Sequence, residues 1–353
     1  ILHAGAAVLL WLVLMRLRLP GAWLAAAIFA LHPVQVESVA WITERKNVLS
    51  AVFYFVSALV YLRIVLDQPP RLRPVLYAGA FFLYLCALLS KTVTCTLPAA
   101  LLVILWWKRG RLTWRDVAPL LPFFAVGIGF GLLTAWMERD RVGAIGKDWD
   151  FTFIERCLIA GRALWFYASK LILPVRLTFI YPRWTIDQSM AWLYVFPCGA
   201  LAVMGVLFAL RHRIGRGPLA GVLLFAGTLF PALGFFNVYP MRYSFVADHF
   251  QYHASASLIA LLTAGLVLGV RRLIPRHLHA AAPVGAGLLL ALYATLTWRQ
   301  TYIYKDYATV WEDTLAKNPD SPIALTSVAS VRVAQSRTEE AMALYRRALE
   351  IVP

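Results

Sequence analysis

Two short segments hold most of the side chains able to do chemistry in an otherwise apolar sequence. The first, LHPVQVESVAWITERKNVLS at residues 31–50, places Glu37, Glu44, Arg45 and Lys46 just after the helix-breaking pair His32-Pro33. Charges at a membrane boundary can bind an anionic head group and position an acid or a base, although a solvated loop of ordinary charge reads the same way. The second, NVYPMRYSFVADHFQYHAS at residues 237–255, gathers Arg242, Asp248, His249 and His253, with Tyr239, Tyr243 and Tyr252 around them. His249 and His253 are four apart and can share a helix face, as two metal ligands do. No glutamate follows in HExxH order, so no metal is expected there, and hydrogen-bonded, partly buried histidines are the commoner outcome.

Two further positions stand out. Lys91, in LLSKTVTCTLP, is the only charge near its turn; it can contact a lipid phosphate or simply snorkel to the interface. FIYPRWT, residues 179–185, offers Tyr181, Arg183 and Trp184, either as aromatic-belt residues or as a platform for a sugar. The sequence contains no GxSxG, Walker or GxGxxG signature, so a cytosolic nucleotide-sugar donor is not suggested, whereas a lipid-presented donor suits the architecture. The cysteines Cys86, Cys95, Cys157 and Cys198 lie in apolar segments without metal spacing and read as inert.

The elements that must position these groups are membrane spans. Of 353 residues, 61% are hydrophobic and only 15% charged, too few charges to cover a soluble protein of this size. Apolar stretches of about 17–22 residues recur, long enough for a hydrocarbon core of about 30 Å. They centre on residues 1–17, 20–34, 47–66, 74–90, 92–107, 117–137, 191–210, 217–236, 254–270 and 279–297. Alternate loops hold Arg16, Arg18, Arg63, Arg71, Arg73, Lys108, Arg109, Arg111, Arg115, Arg211, Arg213, Arg216, Arg271, Arg272 and Arg276, against only Asp67 and Asp116. The positive-inside rule makes that face cytoplasmic. The net charge of +16 therefore follows membrane topology, and no nucleic-acid partner is expected.

The opposite loops, 33–46, 138–190 and 237–253, are longer and mixed in charge, the expected place for chemistry. Parity then leaves residues 153–174 without a full crossing. Glu155, Arg156, Arg162 and Lys170 fall on one helical stripe, as in an interfacial or re-entrant helix. The alternative is a spanning helix whose charges face protein. After residue 298 the chain turns polar, and SPIALTSVASVRVAQSRTEEAMALYRRALEIVP reads as a helix–turn–helix repeat of tetratricopeptide type. Ala324, Ala341, Tyr345, Ala348 and Pro353 fit its small, aromatic and terminating positions; Val328-Ala329 replaces the usual Leu-Gly, and Ser336 the turn glycine. One repeat cannot bury its apolar face alone, so more are expected to follow.

Together these segments resemble the transmembrane-and-tetratricopeptide-repeat protein O-mannosyltransferases and their bacterial relatives, of the GT-C glycosyltransferase superfamily. HPVQVESVAWITERKNVLS resembles that family's second external loop, and LSKTVTCTLP, the stretch around KLILPVRLTFIYPRW, VADHFQYHAS and YATVWEDTLAKNPDS resemble later landmarks in order. Two departures are plain: the family's Ala-Asp-Arg-Tyr reads Ala247-Asp248-His249-Phe250, and its first span and first external loop, with the catalytic acidic pair, are expected to precede Ile1.

The resemblance implies an all-α polytopic membrane bundle of GT-C type over residues 1–298, then the start of a tetratricopeptide solenoid over 299–353. It implies inverting transfer of a sugar, mannose by family, from a polyprenyl-phosphate donor to Ser/Thr of an extracytoplasmic protein, with no cofactor. Glu37 and Asp248 would act at the reacting centre, and Arg45, Lys91, Arg242 and His249 would hold the donor phosphate. His32, Tyr181, Arg183 and Tyr252 would contact substrate. The expected partners are membrane lipid, the lipid-linked donor and a protein on the repeats, at the bacterial inner membrane or, in a eukaryote, the endoplasmic reticulum, with site and repeats outside the cytoplasm. A lipid-linked-sugar transporter and a membrane-anchored repeat scaffold remain as alternatives.

Overall fold

A computed structural model describes residues 1–66, 73–275 and 281–351; Asp67, Arg71, Arg276 and Pro353 lie outside them. Among the described residues the chain is helical and has no strands, as the apolar periodicity requires of a chain whose backbone must satisfy its own hydrogen bonds in lipid. Among the described residues, five helical stretches are long and apolar enough to cross a membrane: Ile42–Leu66, Arg73–Ser90, Trp114–Asp140, Ala191–Leu210 and Asp248–Leu273. They mark the chain as a membrane protein.

A sixth apolar stretch is broken where the sequence places His32-Pro33. Helix α1 (Leu2–Arg16) and α2 (Ala22–Leu31) are followed by a 3-10 turn, Pro33–Gln35, and a five-residue helix α3 (Val36–Ala40) bent 54° from α2. His32 sits in extended backbone, φ −76° and ψ 128°, because the residue before proline is excluded from the helical region. After α3 a 3-10 turn, Ile42–Glu44, leads into the long helix α4 (Arg45–Leu66).

Next come α5 (Arg73–Ser90), α6 (Leu97–Arg109), α7 (Trp114–Val117) and α8 (Leu121–Asp140). Three expected crossings are shorter than a full span. Helix α1 has 15 residues and α6 has 13, hence about 20–23 Å at 1.5 Å per residue. The third is α11 (Gly217–Leu229) with its 3-10 extension to Ala232. For α6 the cause is local: residues Thr92–Thr96 wind as a 3-10 helix, and the α-helix starts only beside Pro98.

Helix α9 (Phe153–Ile172) occupies the segment expected to lie in the interface. Thr152 and Glu155 form a reciprocal capping box at its start. One face buries Leu158, Ile159, Ala163, Tyr167 and Leu171, and Gly161 lets α9 close directly onto Pro197 of α10 (Val195–Leu210). Its cations turn toward loops: Arg156 donates to the carbonyls of Trp149 and Gly234 and to Asn237 Oδ1, and Lys170 donates to the Val175 carbonyl. Arg162 lies 4.4 Å over the Trp184 ring.

The bundle has two chemically distinct ends. At one, Lys108 donates to the Leu17 carbonyl, Arg109 to the Val65 carbonyl and to Asp116, and Arg216 covers Gly110, so several arginine-rich loops meet. At the other lie the starts of α4 and α12 (Tyr252–Leu273). The 22 residues of α4 separate the ends by about 33 Å.

Helix α13 (Ala282–Thr301) runs through residue 298, so the expected domain boundary falls inside it and the polar segment begins beyond Thr301. Then follow α14 (Tyr307–Lys317), α15 (Pro322–Ala334) and α16 (Thr338–Ile351). Ser336 turns the chain between the last two at φ 62°, a left-handed conformation that favours glycine. Ala324, Ala341 and Ala348 are buried where α15 meets α16.

Candidate functional site

The break after α2 brings Glu37 back into the bundle. Held on α3 and 2% exposed, it faces the 3-10 turn Asp248–Gln251 that opens α12. Glu37 Oε2 accepts the backbone N–H of His249 at 2.9 Å, and Oε1 lies 2.9 Å from His249 Nδ1. A carboxylate suits that place, since the free N–H groups and dipole of a helix start favour negative charge.

Asp248, also 2% exposed, points the other way. The Tyr181 hydroxyl donates to both its oxygens, at 3.0 and 3.1 Å. Burial first, and the neighbouring Asp248 second, push the Tyr181 phenol well above its ordinary range, so it stays a donor. Burial, with Glu37 and Asp248 acting the same way, raises the Tyr304 phenol well above its ordinary range; its ring, next to α13, lies 6.4 Å from that of Phe179.

A second charged group adjoins the first. Lys91 Nζ donates to Glu44 Oε2 at 2.7 Å, and Lys46 Nζ stands 3.4 Å from Glu44 Oε1. Burial lowers the Lys91 pKa, while Glu44 and, more weakly, Glu37 act to raise it. Two cations thus flank one carboxylate at the mouth of the bundle.

Between the groups runs a seam of buried amides and hydroxyls. Asn47 Nδ2 donates to Ser38 Oγ and to the His249 carbonyl, Ser50 Oγ lies 3.1 Å from His253 Nε2, and Gln35 Nε2 donates to Ser255 Oγ. Gln251 is fully buried with neither amide atom hydrogen-bonded.

Aromatic rings close the site on the side of the C-terminal helices. The His249 ring lies 5.6 Å from Trp41, Trp41 lies 4.9 Å from Phe179, and Phe179 lies 5.4 Å from Trp311 of α14. Lys317 and Asn318 donate to the carbonyls of Leu177 and Ile180, tying α14 to the strap that carries Tyr181.

The structure therefore unites Glu37, Asp248, His249 and Tyr181, with Lys91 adjoining, although they come from distant segments. Other candidate residues lie elsewhere. Arg242 and Arg183 both pair with Asp148, at 3.3 Å each, and Arg183 also donates to the Met241 carbonyl. Arg45 is exposed, its Nε bonded to the Ile42 carbonyl, because α4 begins there and turns the side chain outward. His32 is buried, donating from Nε2 to the Leu171 carbonyl while Nδ1 accepts from Val34 N–H. Tyr252 is likewise buried, its hydroxyl 2.7 Å from His3 Nδ1, so neither ring presents a face to a substrate. His253, paired with Ser50, is a hydrogen-bonded core histidine.

Sequence reasoning passed over His3, Gln35, Asn47 and Tyr304. The available signal was a polar side chain inside an apolar stretch, which for Gln35 and Asn47 is visible in the sequence. Among the described residues, no group of three or more His, Cys, Asp or Glu side chains is arranged to hold a metal ion. No family model, curated protein or solved structure matches the chain.

Proposed function

We propose that the chain is the membrane part of a glycosyltransferase that moves a sugar from a polyprenyl-phosphate carrier to a Ser/Thr hydroxyl. The observation that carries this reading is the double link of buried Glu37 to His249, with Asp248 and Lys91 adjoining it. Transfer needs a carboxylate near the attacking hydroxyl and cations near the leaving phosphate, within a few ångströms of each other. In the step, the acceptor oxygen bonds to the anomeric carbon as the carbon–phosphate oxygen bond breaks. The hydroxyl proton passes to a carboxylate and the lipid phosphate departs. Lys91 and Lys46 suit that phosphate, and Asp248 with Tyr181 suits the sugar or the acceptor.

In the same reading the bundle is of GT-C type and α15–α16 form a repeat of tetratricopeptide type. Supporting this are the paired helices, the alanines at their contact and the left-handed Ser336 at the turn. The arginine-rich loops at the far end of the bundle support a site and repeats outside the cytoplasm. A second reading, a transporter of lipid-linked sugar, gains from the polar seam of Gln35, Asn47, Ser50, His253 and Ser255.

The test uses the complete protein in membranes, with labelled polyprenyl-phosphate mannose and an acceptor protein. Glu37→Gln should abolish transfer while thermal stability in detergent stays near the parent's. Parent-rate transfer by that variant would overturn the site, and donor movement across vesicles without transfer would favour the transporter.

A further inference from the structure

At the arginine-rich end, α6, α10 and α11 pack together and leave a groove of about 310 Å³. Its walls are Leu102 and Trp106 of α6, Leu112 just beyond it, Phe208 of α10, and Leu219 and Leu223 of α11. Two guanidinium groups stand at its mouth. Arg211 stacks 3.8 Å over the Phe208 ring and donates one N–H to the Phe208 carbonyl, leaving its other donors free. Arg216, just before α11 and Leu219, lies against Gly110, close in sequence to Leu112. Among the described residues no carboxylate pairs with either arginine, and Asp116, the acid nearest Leu112 in sequence, is held by Arg109 and Thr113. The 13 residues of α6, about 20 Å, separate this mouth from the end at Lys91, so the groove is distinct from the site above.

From this geometry we infer that the groove binds one anionic phospholipid, its phosphate on Arg211 and Arg216 and an acyl chain along Leu102, Leu219 and Leu223. Charge complementarity selects this occupant. Guanidinium groups present paired donors matched to phosphate oxygens. The wall beside them is apolar, which a free phosphate or a soluble anion would leave uncovered. A zwitterionic lipid would bring its own cation against two arginines. The volume lies at the lower end of the roughly 300–1,000 Å³ of ligand pockets. That suits an acyl chain better than a partner helix about 10 Å across. Helices α6 and α11, of 13 residues each, fall short of a hydrocarbon core of about 30 Å, and short elements draw the head-group layer inward, toward these arginines. Basic pockets between membrane helices are the usual form of head-group sites.

The full chain is purified in an uncharged detergent and mixed with phosphatidylglycerol or phosphatidylcholine of identical acyl chains, and retained lipid is counted by native mass spectrometry. Phosphatidylglycerol should be retained in preference, as one molecule. The double variant Arg211→Gln, Arg216→Gln should bind it about thirtyfold more weakly, each basic side chain near an anionic lipid surface contributing roughly fivefold. Arg299→Gln with Arg346→Gln, a charge-matched pair of exposed arginines on α13 and α16, should bind like the parent. Should the first pair fail to fold, Leu223→Trp fills the apolar wall with both arginines in place and should also displace the lipid. Equal retention of phosphatidylcholine, or equal loss in the control pair, would overturn the proposal. So would competition by glycerol phosphate at equal concentration, which would assign the arginines to a head group alone.

Discussion

Glu37 and His249, 212 positions apart in the sequence, are joined twice, the two carboxylate oxygens meeting the backbone N–H and the ring Nδ1 of a single residue. The link fastens the broken segment after α2 to the start of α12. Both partners are buried, so its loss leaves polar atoms stranded.

Glu37→Ala is expected to destabilise the protein by about 2–3 kcal/mol, because the buried backbone N–H and ring nitrogen of His249 lose their partner. Glu37→Gln, which keeps an acceptor for the His249 N–H, should cost less than half as much. Thermal unfolding of both variants in one detergent decides it; equal losses would mean that the contact with His249 is not what the carboxylate supplies.

Lys91 gives a pH signature. Burial lowers its pKa in the folded protein, so the unfolded chain binds more protons in the window between that lowered value and the ordinary lysine value of about 10.4. Stability should therefore rise with pH across that window, relative to Lys91→Met, which has no such proton to lose. Melting temperatures of parent and variant from neutral pH upward measure the difference. A constant gap would show that burial of this ammonium carries no cost.

Ser336 adopts φ 62° at the turn between α15 and α16. Ser336→Gly should stabilise the helix pair by about 1 kcal/mol, and Ser336→Val should destabilise it, since β-branched residues tolerate that region least. Amide exchange in Thr338–Ile351 reads the local effect; faster exchange in the glycine variant would contradict it.

Trp311 is 7% exposed and fills the junction between α14, α15 and the strap at Phe179. Trp311→Ala should cost about 3–5 kcal/mol locally. Limited proteolysis should then cut near residue 305, with the five long apolar stretches left protected. Cleavage no faster than in the parent would separate α14 from the strap.

The break at His32-Pro33 was legible because proline has one local effect wherever it stands, and the clustering of charge in loops 33–46 and 237–253 was legible as composition. Their meeting through Glu37 and His249 was expected only from the chemistry proposed for them. Arg242 was misplaced in that picture. A long cation on an exposed loop takes the nearest carboxylate, and nothing in sequence tells that Asp148 lies nearer than Glu37. Helix lengths failed for a local reason at Thr92–Thr96, where 3-10 winding takes residues that hydropathy counts as span. The bond between His3 and Tyr252 joins residues 249 apart, a pairing that only the packing of α1 reveals.

The rings of Trp311, Phe179, Trp41 and His249 stand in near-perpendicular contact from the tail to the buried acid, with interplanar angles of 88°, 83° and 70°. Edges set against faces resist sliding, so the row behaves as a strut. A chain shortened ahead of Tyr307 would lose one footing of that strut and expose Phe179 to solvent or lipid. Truncation intended to isolate the membrane bundle would thereby alter the setting of the acid it was meant to preserve, and work on the bundle is best done with α14 retained.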